Sequence, residues 1–132
     1  MKAAVYYENG NPDVLKYEDV PDPVCHPKGV VIRVEAVSIE GGDTLNRWHG
    51  ALLSKPHVVG YQAGGEIIEV GSDVTNLKVG QKVTTVFGAG SHAALRPVPA
   101  PPPTLELFAK EVMPAFTGDS AQLASASAKR SA

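Results

Sequence analysis

Cysteine is almost absent from this sequence. Cys25 stands alone among 132 residues, which excludes an internal disulfide and any zinc cluster built from four thiolates. An excess of positive charge is missing too. Twelve Lys and Arg face 14 Asp and Glu, for a net charge of -2. That balance supplies no cationic footprint for a phosphate backbone, and no nucleic-acid partner is expected. No apolar run approaches the ~20 residues that span a bilayer, so no membrane partner is expected either. Behind Met1-Lys2 stand Ala3-Ala4-Val5-Tyr6-Tyr7, without the long apolar core and cleavage site of an export signal. A cytoplasmic location is the default. The length fits one ordinary domain and falls well short of a complete two-domain dinucleotide enzyme.

What is present changes character near residue 90. Ten of the 13 glycines lie between Gly41 and Gly90, and five of the 11 prolines between Pro97 and Pro103. Residues 1–90 carry 8 basic and 11 acidic side chains, residues 91–132 carry 4 and 3. The first part reads as a folded β-rich domain and the second as an appendage.

Five segments of the first part have strand character, rich in β-branched residues and closed by turn formers. They are Lys2 to Tyr7, Val14 to Val20, Gly29 to Ser38, Gly65 to Val70 and Gln81 to Phe87. Gly29 to Ser38 is the strongest, with Val30, Ile32, Val34 and Ala36 on one face. Short strands with glycine turns suggest a small, partly open barrel. Residues 41–55 lack alternation, and a short helix through Asp43 to Trp48 is expected there. Arg96 to Pro103 is too rich in proline for a central strand or a helix and reads as extended polyproline II. Leu105, Phe108, Ala109 and Val112 recur at helical spacing behind Thr104, with Pro114 as the stop. Beyond Thr117, Ser, Ala, Lys and Arg dominate, which predicts a disordered tail.

Several runs together resemble a known family. They are Met1-Lys2-Ala3-Ala4-Val5, Gly29 to Ala36, Val59-Gly60, Gly64-Gly65, Val70-Gly71 and Val79-Gly80-Gln81-Lys82-Val83. In order and separation they look like the N-terminal GroES-like barrel of the medium-chain dehydrogenases/reductases, shared by alcohol dehydrogenases and quinone oxidoreductases. The likeness covers about residues 1–100. It implies a mainly β fold, a GroES-like partly open β-barrel, with residues 101–132 as proline-rich linker, short helix and flexible tail. Asp43-Thr44-Leu45-Asn46-Arg47 is most similar to the zinc-independent, quinone oxidoreductase-like branch. Gln81-Lys82 departs from the family's usual Asp-Arg, a mild change at a surface turn.

The resemblance also carries functional expectations. Family enzymes hold substrate between this domain and a following Rossmann domain that carries NAD(P)H. No cofactor is expected on this chain by itself; NAD(P)H is expected only with that second domain, as is a small carbonyl or quinone substrate. Zinc-dependent relatives place a cysteine where Glu40 stands and a His-Glu pair where Tyr61-Gln62 stand. Phenol and amide are poor zinc ligands, and no metal is expected. His49, His57 and His92 are isolated, and Cys25-His26 lies in a proline-flanked loop. By the resemblance, Glu40 and Asp43 lie on the loop lining the cleft, and Tyr61 near the old metal position. Tyr61 and Asp43 are the catalytic candidates, the tyrosine as a hydrogen-bond donor to a substrate carbonyl. Glu40, Arg47 and Trp48 are the substrate-binding candidates. The rival account for three of these is structural: Asp43 caps a short helix, Arg47 pairs with it, and Trp48 packs under the barrel.

One motif is set aside. Gly88-Ala89-Gly90-Ser91-His92-Ala93 matches the glycine pattern of a dinucleotide turn, but such a turn must open a helix, and Arg96-Pro97-Val98-Pro99 follows. The expected function is therefore the substrate-side domain of a zinc-independent NAD(P)H-dependent quinone or enone reductase, inactive as the isolated chain. The alternative is a non-catalytic, truncated or re-fused barrel that binds a partner. A homodimer is compatible with either.

Overall fold

The computed structural model describes residues 1–86 and 88–99. The expected linker, helix and tail of residues 101–132 lie outside the described residues. In chain order the elements are β1 (Lys2–Tyr6), a one-turn 3-10 helix (Pro12–Val14), β2 (Lys16–Asp19), β3 (Gly29–Ser38) and α1 (Gly41–His49). Then come β4 (His57–Val58), β5 (Gln62–Val70), β6 (Lys82–Thr85) and β7 (Leu95–Pro99). The strands form two antiparallel sheets, β2-β1-β4 and β6-β5-β3-β7. The fold is mainly β and partly open; no strand ladder closes the two sheets into a barrel among the described residues.

Backbone hydrogen bonds of residues 91–94 join the sheets. His92 O accepts from Ala4 N at 2.8 Å, and Ala94 N donates to Lys2 O at 2.9 Å. Ala94 O in turn accepts from Val34 N of β3 at 3.0 Å. The same segment reaches β4 and its exit, through His92 N to Val59 O (2.9 Å) and Ser91 N to Gly60 O (3.1 Å).

Each sheet has its own apolar cluster. Ala3, Val5 and Ala93 form one, flanked by Met1, Val20 and Val58. Val30, Ile32 and Ile67 form the other, flanked by Val70, Val74, Leu77, Val83 and Val98. Burying each Val or Ile contributes about 1.5–3 kcal/mol before entropy is counted. Burial along β3 does not follow the alternation of its two faces. Val30, Val31 and Ile32 are all buried, while Glu35, Ala36 and Val37 are exposed. The strand is covered on both faces in its first half and leaves the core in its second.

Two strands depart from the sequence reading. His57–Val58 pairs with Val5 and Tyr6 of β1, a contact two residues long that leaves no periodic signal. Leu95–Pro99 is a strand rather than polyproline II, hydrogen-bonded along β3 at the edge of its sheet. Prolines at 97 and 99 alternate with Arg96 and Val98, so the nitrogens without hydrogen share one side of the strand. An edge position tolerates that arrangement.

The helix is real and slightly longer than expected. At its start Glu40 N donates to Asp43 Oδ2 at 3.1 Å, the backward half of a capping box. At its end Asn9 Nδ2 donates to the carbonyls of Asn46, Arg47 and Gly50 at 2.9, 3.1 and 3.0 Å. The turn after β1 thus satisfies carbonyls that a helix C-terminus leaves open and clamps α1 in place.

Candidate functional site

A cavity of about 230 Å³ opens beside α1. The helix contributes Asp43 and Asn46, and the loop after it Ala51 and Leu53. β4 and its exit contribute His57, Val59, Gly60 and Tyr61, and the turn before the joining segment Gly88 and Ala89. By the ~30 Å³ share of one liquid water, this space holds about eight waters or a small organic molecule.

The two catalytic candidates meet here. Tyr61 and Asp43 both line the cavity. Asn46 Nδ2 donates to the Tyr61 hydroxyl, which leaves that hydroxyl's own proton to be given to a ligand oxygen. Asp43 is 4% exposed. Its Oδ2 takes the Glu40 amide and lies 3.9 Å from His92 Nε2, while its Oδ1 has no hydrogen-bond partner among the described residues.

The three substrate-binding candidates stand elsewhere. Glu40 is exposed at the helix N-cap and Trp48 is 65% exposed, and neither lines the cavity. Arg47 Nη1 donates to Gly10 O at 2.6 Å, which ties the helix to the turn after β1. The structural alternative is corrected in two parts. Arg47 binds that backbone carbonyl rather than Asp43, because it leaves the helix one turn later and faces the β1 turn. Trp48 lies on the outer face of α1 instead of under the sheets.

Four residues of the site were not singled out from sequence. Asn46 lies one helical turn after Asp43, and that spacing is the one available signal. His57 and His92 were set aside as isolated; they approach the site only through folding. His57 is buried, its ring meeting that of Tyr6 edge-on at 5.1 Å and 64°. Burial pushes its imidazole below the ordinary value of 6.5. Burial raises the Tyr6 phenol, and the neighbouring Tyr61 adds to the shift. Arg96 is the fourth. It is 1% exposed, and its Nη1 donates to Tyr61 O at 2.7 Å, to Thr85 Oγ1 and to Ser91 Oγ. One guanidinium thereby ties the start of β5, the end of β6 and the joining segment beneath the cavity.

The glycine pattern at 88–93 makes a turn, with Gly88 and Gly90 at φ of 83° and 99°, and leads into β7. No helix opens there to receive a pyrophosphate. Among the described residues no group of three His, Cys, Asp or Glu side chains is placed to hold a metal ion, and no helix is long and apolar enough to cross a membrane.

Comparison with known proteins bears on the whole described region. Residues 26–100 match the family described as alcohol dehydrogenase GroES-like domain. The chain belongs to that family. L-threonine 3-dehydrogenase of Cutibacterium acnes is 39% identical over 74 residues, covering 53% of this chain and 21% of that protein. The quinone oxidoreductase structure from Coxiella burnetii superposes with a TM-score of 0.69 at 32% identity, covering 75% of this chain and 34% of that one. A mycobacterial structure complexed with NADPH gives a TM-score of 0.69 at 30% identity, covering 76% and 32%. The chain thus spans about a fifth to a third of these relatives, all of the medium-chain dehydrogenase/reductase superfamily.

Proposed function

We propose that residues 1–100 are the substrate-side domain of a zinc-independent, NAD(P)H-dependent reductase of small enones or quinones. The observation that carries this reading is the Tyr61 hydroxyl, polarised by Asn46 and facing a cavity of substrate size. A donor held there stabilises negative charge building on a carbonyl oxygen during reduction, and one such donor is worth about 10²–10³ in rate. Asn46 orients the phenol, Arg96 fixes the backbone that carries it, and Ala51, Leu53, Val59 and Ala89 offer an apolar wall to the rest of the substrate.

Zinc independence rests on the residues at the family's ligand positions. Glu40 is exposed, Tyr61 is engaged by Asn46, and Gln62 opens β5 opposite Ser38. The described residues hold no dinucleotide cradle, so the nicotinamide, which supplies the hydride, is assigned to a further domain. Ile39 at 75% exposure and Trp48 at 65% present apolar surface near the two ends of α1, consistent with such a neighbour. The same surface suits the rival reading, a non-catalytic barrel that binds a protein partner.

Fusion to the cofactor domain of a relative tests the proposal. NADPH oxidation is expected with cyclohex-2-enone or menadione as acceptor, and little with the chain alone. A fusion that folds, binds NADPH and stays inert with both acceptors overturns the enzyme reading in favour of the binding module.

A further inference from the structure

The least explained contact in the molecule is the one between His92 and Asp43. His92 Nε2 stands 3.9 Å from Asp43 Oδ2, with the imidazole 14% and the carboxylate 4% exposed. Neither Nε2 nor Asp43 Oδ1 has a hydrogen-bond partner among the described residues. A buried carboxylate left with one backbone N–H is costly, by several kcal/mol, and the imidazole is the neighbouring group able to answer it.

The backbone holds that imidazole where it is. His92 N donates to Val59 O and its carbonyl accepts from Ala4 N, so residue 92 is fixed to both β1 and the exit of β4. Its ring fills the space over Gly60, where an added Cβ would overlap Cδ2. Gly60 has φ of 102°, the left-handed region that favours glycine. The chain thus leaves residue 60 without a side chain and places the imidazole there, directed at α1.

Asp43 lies in the first turn of that helix and Asn46 one turn on, with its amide on the Tyr61 hydroxyl. We propose that His92 is a positioning residue of the Tyr61 site: within ion-pair but not hydrogen-bond distance of Asp43 Oδ2, its Nε2 faces the carboxylate with an N–H and so steadies the first turn of α1, from which Asn46 reaches Tyr61. This rests on the reading of Tyr61 as the substrate's hydrogen-bond donor, but concerns how the donor is held. No bond is made or broken, and His92 need not touch substrate.

The whole chain, labelled with 15N at histidine and at side-chain amides and with 13C at tyrosine rings, tests it without any turnover. The unmodified protein is expected to carry a His92 ring proton on Nε2. His92→Phe keeps the ring over Gly60 and removes the donor; it is expected to shift the Asn46 amide and Tyr61 ring resonances and weaken cyclohex-2-enone binding about tenfold. His92→Gln restores an N–H at the same reach and is expected to recover both. A proton found on Nδ1 alone in the unmodified protein overturns the proposal, whether or not the Phe variant folds. So does a folded Phe variant with Asn46 and Tyr61 unmoved, or a Gln variant no better than the Phe one. An inert fusion enzyme with these resonance shifts intact removes the reductase reading and leaves the positioning role standing.

Discussion

Asn46 and Tyr61, fifteen residues apart in the chain, meet amide to hydroxyl on the wall of the cavity. The helix supplies the donor and the residue just before β5 the acceptor, so the phenol is held between two elements. A hydroxyl fixed in this way needs little reorganisation when charge develops next to it.

The first prediction follows from that pairing. In a fusion with a cofactor domain, Tyr61→Phe is expected to lower kcat/KM for cyclohex-2-enone about 10²-fold. Asn46→Ala leaves the hydroxyl in place but loose, and about a fivefold loss is expected, since a neutral hydrogen bond is worth about 1 kcal/mol. Steady-state NADPH oxidation measures both. Equal activity in the Tyr61→Phe enzyme would remove the tyrosine from the chemistry.

Arg96 supports a second prediction, on stability. Its Nη1 serves Tyr61 O, Ser91 Oγ and Thr85 Oγ1 from a position 1% exposed. Arg96→Leu removes all three bonds; Thr85 Oγ1 keeps the Ala63 amide and Tyr61 O a long contact from Thr85 Oγ1, whereas Ser91 Oγ loses the guanidinium, and a loss of about 3 kcal/mol is expected. Because the three bonds leave one nitrogen, a lysine ammonium with three hydrogens can replace part of them. Arg96→Lys is expected to lose roughly half as much. Urea unfolding of the two variants decides it, and equal losses would mean that the planar fork matters more than these three bonds.

Arg96 also shows where sequence reading stopped. Gly29 to Ser38 was legible because β-branched residues are dense between a glycine and a polar end, and its bounds agree with the strand that forms. Tyr61 and Asp43 were singled out through the family resemblance, and both line the cavity. Arg96 was not, since the flanking prolines speak for an irregular segment and nothing local reveals a partner strand. That partner, β3, lies some 60 residues upstream. His57 and His92 were hidden for a related reason. Each is alone in sequence, and their shared surroundings arise only when residues 91–94 are laid against β1 and the exit of β4. Local chemistry is readable from a chain, whereas long-range juxtaposition without a pattern is not.

Metal content gives a third test. The positions that match the family's zinc ligands hold Glu40, Tyr61 and Gln62, and the Tyr61 oxygen is already hydrogen-bonded. A carboxylate by itself makes a weak site, because zinc takes three or four well-placed N, S or O ligands. After dialysis against a weak chelator, elemental analysis is expected to find far less than one zinc per chain. A retained equivalent that Glu40→Ala removes would overturn the zinc-independent assignment.

The last prediction concerns acid. Burial holds the His57 imidazole below its ordinary 6.5, so the folded state resists a proton that the unfolded chain accepts. Wherever the unfolded state binds more protons, stability rises with pH. The His57 contribution is therefore fully present above about pH 6.5 and is lost as pH falls below it. Glu66 acts with the same sign further down. Lys82 first, and Arg33 after it, hold its carboxylate below the ordinary 4.5, through contacts of 3.0 and 2.9 Å. Its contribution is present above that value and lost as pH falls below it. The two are separable. The Glu66 pairs are exposed and weaken with salt, whereas a desolvated imidazole does not depend on screening. Urea midpoints between pH 8 and pH 3.5, at low and high salt, are expected to fall in two stages, the second smaller at high salt. His57→Phe keeps an aromatic ring against Tyr6 and removes the titrating group. It is expected to flatten the upper stage, which begins below about pH 6.5, and leave the lower one unchanged. Parallel curves for the two proteins across that upper interval would show that His57 is neutral for some reason other than burial, or that it is charged without cost.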